Sequence, residues 1–122
     1  MTTIANVLVF LVGLEAFLIL GLEMFGSRTA FAAKAFGVPL DLLQQPKVHT
    51  LMANQGLYNG FIGVLIFFAL FGLSGAASTS MLLLLTGLVV VAAIFGAVTA
   101  SRTILWVQGL PALLAFIALW IA

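Results

Sequence analysis

ANQGLYNGF, Ala53 to Phe61, sets two asparagines, a glutamine and a tyrosine inside an apolar run that otherwise reads as a membrane-spanning helix. On a helix advancing about 100° per residue, Asn54, Tyr58, Gln55 and Asn59 fall near 0°, 40°, 100° and 140°. Gly63, Gly56, Gly60 and Ala53 fall near 180°, 200°, 240° and 260° by the same rotation of about 100° per residue. One face is polar and the opposite face is a stripe of small residues. The stripe suits close approach of another backbone. The polar face must meet protein or water, because hydrocarbon cannot satisfy amides and hydroxyls.

Outward from this stretch, the whole composition agrees with a membrane setting. The 122 residues are 65% hydrophobic and 6% charged, and the mean hydropathy is +1.37. A soluble domain carries roughly 25% charge. At about 20 residues per span the chain holds four spans with short connections and no separate soluble domain. A formal charge of +1, with four scattered basic residues, gives no phosphate-binding stripe, so nucleic acid is not an expected partner. There is no cysteine, which removes disulfides, thiolate nucleophiles and sulfur-ligated metals.

The expected fold is an all-α polytopic membrane protein, a single four-helix bundle over residues 1–122 with spans 3–25, 46–73, 80–100 and 103–122. The first run lacks a basic segment before it and is about twice as long as a signal-peptide core, so it is read as a retained span despite the small residues of TAFAA. Glu15 and Glu23 lie within it, and its Leu, Ile, Val and Phe residues outweigh the cost of the acids for insertion. SRTAFAAKAFG predicts a short interfacial helix capped by Ser27 and stopped by Gly37, with Pro39 beyond. Pro46 suits the first turn of the second span, and SGAAST reads as a tight turn. Arg28, Lys34 and Lys47 border the first loop and Arg102 marks the third. The positive-inside rule therefore predicts a multi-pass cell-membrane (plasma-membrane) protein with both termini outside.

A rise of 1.5 Å per residue from Pro46 puts Asn54 about 12 Å and Tyr58 about 18 Å along the second span. Glu15 falls at a similar depth, while Glu23, Lys47, His49 and Arg102 sit near the cytoplasmic boundary, with Gln108 somewhat deeper. The candidate ligand-binding residues are thus Glu15, Glu23, Asn54, Gln55, Tyr58, Asn59, Arg102 and Gln108, arranged as a funnel that opens inward. Glu15 is the candidate for chemistry, since an intramembrane acid is a functional hypothesis by default. Its structural alternative is a protonated carboxyl bonded to an Asn or Tyr, and for Glu23 pairing with Arg102 or Lys47 is the favoured reading. His49 has no second ligand at metal spacing, so no metal site is expected. Trp106 and Trp120 read as interfacial anchors, and Pro111 as a kink. The row Ala92, Gly96 and Ala100 predicts a packing face that meets the glycine stripe or a symmetry mate in a homo-oligomer.

With LEMF (Leu22–Phe25), ANQGLYNGF and FGAVTASRTILWVQGLPALLA (Phe95–Ala115) in this order, the chain resembles the small bacterial membrane family known as domain of unknown function 1304. The resemblance covers nearly the whole length and implies a four-helix membrane protein of this size, with no activity attached. In that family's pattern a histidine commonly follows the first acid and a tyrosine often lies near the second. Here Ala16 follows Glu15 and Gly21 precedes LEMF, which weakens an acid/base mechanism. A looser likeness, of architecture alone, is to the membrane-associated eicosanoid and glutathione metabolism proteins, whose second-helix arginine and glutamate are missing from VHTLMANQGLYN.

Three functions compete. The first is binding of a small amphiphilic or lipid-like ligand, or an enzyme acting on one, between the first, second and fourth spans. The second is a structural or assembly subunit whose amides join helices. The third is a small proton-coupled transporter built on Glu15. No phosphate-cradling loop or ligand cluster names a cofactor, so the cofactor is left unknown.

Overall fold

The computed structural model describes residues 2–122. Among these the secondary structure is helical throughout: α1 Thr3–Phe25, α2 Ala30–Phe36, α3 Leu40–Leu43, α4 Pro46–Gly72, α5 Gly75–Thr99 and α6 Arg102–Ile121. Of these, α1, α4, α5 and α6 are each long and apolar enough to cross a membrane, and they form a compact all-α bundle.

Local chemistry sets most of the boundaries. The Thr2 hydroxyl caps α1 by accepting from the Ala5 amide at 3.1 Å. In α2 the cap is Thr29, which accepts from the Ala32 amide at 3.2 Å, and not Ser27 as the sequence suggests. Ser27 is buried and its hydroxyl is engaged with His49 Nδ1 at 2.9 Å, which ties the loop to the first turns of α4. Gly37 ends α2 with φ 68°, a left-handed conformation that glycine adopts without strain.

The segment SGAAST is helix rather than turn. The third span starts at Gly75, not Ser80, and the connection shrinks to Leu73 and Ser74. Two hydroxyls explain the shift by bonding to helix carbonyls instead of solvent. Ser78 donates to the Ala69 carbonyl at 2.7 Å across the connection, and Thr79 donates to Gly75 at 3.3 Å.

Two spans depart from α geometry. The last turn of α4, Phe68–Gly72, is π-helical, and so is Leu105–Gly109 within α6. The second follows from Pro111, which has no amide hydrogen for an i−4 carbonyl. The amide of Leu110 reaches back five residues to Leu105 instead, so the expected distortion at the proline takes the form of a π-bulge carrying Gln108.

α1 is the centre of the bundle, packing against α4 on one side and α6 on the other, while α5 packs mainly on α6. The glycine stripe of α4 meets α1. It does not meet the small-residue row of α5 as expected. A Cβ on Gly56 would lie 2.9 Å from Glu23 Cβ and Met24 Cγ and 3.2 Å from the Leu20 carbonyl oxygen. α4 and α5 touch chiefly at their shared connection. An apolar core of Val9, Val12, Ile66, Leu82, Leu85 and Leu119 lies toward the end bearing both termini, beside a groove of about 640 Å³ between the start of α1, the end of α4 and the start of α5, and α4 and α5 part at the other end.

Candidate functional site

The gap between α4 and α5 is a cavity of about 450 Å³ whose polar lining is Glu23, Gln55, Tyr58, Asn59, Thr99 and Gln108. A smaller space of about 100 Å³ adjoins it deeper in the bundle, where Glu15 joins Asn59 and Gln108. Asn59, Gln108, Ile19, Ile62 and Ala92 line both, so the two spaces share a wall, with Glu15 on one side and Glu23 on the other. All four spans contribute, and Phe36 of α2 closes the loop end.

The close approach of α1 and α4 creates the central hydrogen-bond cluster. With Gly56 lying against Glu23, the side chains of Gln55 and Asn59 flank the same carboxylate. Gln55 Nε2 donates to Glu23 Oε2. Asn59 Nδ2 donates to Glu23 Oε1 at 2.5 Å and to the Gln55 carbonyl at 3.3 Å. Glu23 is 1% exposed, and its partners are two amides, not Arg102 or Lys47. Both cations are exposed, and Arg102 lines a separate groove with Trp106 and Val98. A carboxylate accepting one amide on each oxygen joins the two helices at this depth.

Glu15 is different. It is half-buried and makes no hydrogen bond among the described residues, so its expected bond to an Asn or Tyr is not formed. Its oxygens face the smaller cavity beside Asn59 and Gln108.

The remaining polar residues divide. Tyr58 is 61% exposed and sits edge-on to Phe61, with ring centroids 5.6 Å apart, yet it borders the larger cavity. Asn54 is exposed and lines neither space. The helical wheel groups Asn54 with Gln55 and Asn59 because it counts angle alone. The inward part of the face is the part nearer the glycine stripe, at the angles of Gln55 and Asn59.

Sequence reasoning reads Ala92, Gly96 and Ala100 as packing surface. All three line the cavity, and Gly96 is also a packing contact, since a Cβ there would lie 3.1 Å from the Ile104 side chain of α6. The signal for this was their depth, level with the amide cluster. Among the described residues no three acidic or histidine side chains converge as a metal site requires.

The family described as "Protein of unknown function (DUF1304)" matches residues 10–120. The uncharacterized protein YpaA of Lactococcus lactis subsp. lactis (strain IL1403) is 35% identical over 118 residues, covering 97% of this chain and 98% of that protein. No solved structure matches.

Proposed function

The chain belongs to the DUF1304 family, and from that premise we propose that it binds a small amphiphilic ligand between its spans, with Glu15 and Gln108 holding the polar head. One observation carries the reading: Glu15, half-buried in the first span, has no hydrogen-bond partner among the described residues and borders a small cavity with Asn59 and Gln108. A polar group kept in such a place without a partner costs stability, so a ligand that satisfies it supplies the reason for its presence. The volume of about 450 Å³ lies within the roughly 300–1,000 Å³ of small-molecule sites. In this reading the protein is a multi-pass cell-membrane protein with both termini outside, because Arg28, Lys34, Lys47 and Arg102 gather at the cavity end.

Native mass spectra of the purified protein during stepwise delipidation test the proposal. The expected result is one defined adduct per chain that survives delipidation and is lost in Ala92→Phe, which puts a ring into both spaces from α5. An adduct-free chain, or lipid adducts indifferent to that substitution, would overturn it.

A second reading is favoured by the Glu23 cluster. There the amides serve to join α1 to α4, as in a structural subunit, and their hydrogen bonds are complete without a ligand. The two readings apply to different residues: Glu23 belongs to the framework and Glu15 to the site.

A further inference from the structure

The polar atoms around the cavity constrain the charge of its occupant, and, resting on the ligand-binding reading above, we propose that the occupant is an amphiphilic ammonium ion. The inference begins at Glu23. Both of its oxygens accept from amide nitrogens, which turns the NH₂ ends of Gln55 and Asn59 toward the α1 wall. Asn59 spends both N–H groups on Glu23 and the Gln55 backbone carbonyl and has its carbonyl oxygen left, while Gln55, with one bond to Glu23, keeps its side-chain carbonyl oxygen and one N–H. Neither of those oxygens has a partner among the described residues, and the Glu15 carboxyl adds two more acceptor atoms beside Asn59.

Charge points the same way. One carboxyl group lines each of the adjoining spaces and no Lys, Arg or His does. Arg102 lines a separate groove with Val98 and Trp106. A carboxylate- or phosphate-headed amphiphile would bring like charge to Glu15 in a medium that screens it poorly. An ammonium supplies three donors and no acceptor, and the Glu15 carboxyl with the carbonyl oxygens of Gln55, Asn59 and Gln108 supplies the acceptors around the two spaces. Tyr58 and Phe95 also border the larger space. The apolar tail has Ile19, Ile62 and the gap left by Ala92 and Gly96.

Three probes with one alkyl chain separate the possibilities: radiolabelled octylammonium, octanol and octanoate, in equilibrium dialysis with the full chain in mild detergent at neutral pH, each corrected for protein-free micelles. Octylammonium is expected to bind saturably, with octanol and octanoate failing to displace it. Glu15→Gln is expected to weaken it about tenfold or more, as loss of a charged hydrogen bond does. Ala92→Phe, a change on a different helix, is expected to abolish binding, so the result does not depend on one variant folding. Displacement by octanol with equal strength, and no effect of Glu15→Gln, would overturn the ammonium assignment and leave the ligand site standing. Octanoate binding alone would overturn it likewise. Binding of none of the three, in a protein free of any co-purified adduct, would remove both proposals.

Discussion

Toward the end of the bundle that bears both termini, Val9, Ile66, Leu82 and Leu119 form an apolar core beside a groove of about 640 Å³ bordered by Asn6, Phe10 and Ser74, whereas at the other end α4 and α5 part around a cavity of about 450 Å³ lined by Glu23 and its amide partners. The buried hydroxyls near the core bond to backbone, Ser78 to the Ala69 carbonyl at 2.7 Å and Thr86 to the Leu82 carbonyl at 2.8 Å. The parted end holds Glu23 between two amides of another helix and leaves Glu15 without a partner. Apolar packing alone separates helices weakly from lipid, since lipid tails are as apolar as leucine. The open end thus depends on glycine contact and hydrogen bonds to keep α1 and α4 together while α5 stands away. Two acids on one helix, eight positions apart in sequence, thus have different surroundings: Glu23 is bonded by two amides and Glu15 borders a small cavity.

Substitutions can break this contrast, and the largest effect is expected at the helix contact. Gly56→Leu places side-chain atoms where the Leu20 carbonyl and the Glu23 and Met24 side chains already lie. It should cost about 3 kcal/mol or more, read as loss of the folded monodisperse protein on size exclusion. Glu23→Ala comes next, leaving two inward amides without their acceptor, and should lower stability by about 2 kcal/mol in a detergent unfolding titration. Near the apolar core, Ser78→Ala removes one buried bond and should cost about 1 kcal/mol in the same titration. Asn54→Ala, exposed and outside both cavities, should stay within about 0.5 kcal/mol of the parent. It should also leave octylammonium binding unchanged, which sharpens the boundary of the site to Gln55 and Asn59.

Much of this was legible in the residues. Four hydrophobic runs fixed the class of fold, and the glycine stripe at Gly56, Gly60 and Gly63 correctly marked a face for close contact. Its partner was not legible, because α1 and α5 both offer small or flexible side chains and helix order around a bundle is a property of all pairs together. SGAAST was misread because serine and threonine carry the same composition in a turn as in a helix end where they bond back to carbonyls. The pairing of Glu23 was misassigned to Arg102 or Lys47 for want of that same helix order. Once α4 lies against α1, Gln55 and Asn59 are nearer than any cation. The cavity itself was hidden, since small residues such as Ala92 and Gly96 signify contact or empty space depending on whether a neighbour fills them.

The most direct test of the division between the two acids is a paired thermal unfolding measurement of Glu15→Gln and Glu23→Gln in the same micelles, without added ligand. Glu23→Gln introduces an NH₂ group opposite the NH₂ groups of Gln55 and Asn59, and its unfolding midpoint should fall clearly below that of the parent. Glu15→Gln should unfold with the parent, because its carboxyl holds nothing in the protein. A fall of equal size in Glu15→Gln, or an unchanged midpoint in Glu23→Gln, would contradict the assignment of one acid to the framework and the other to the site.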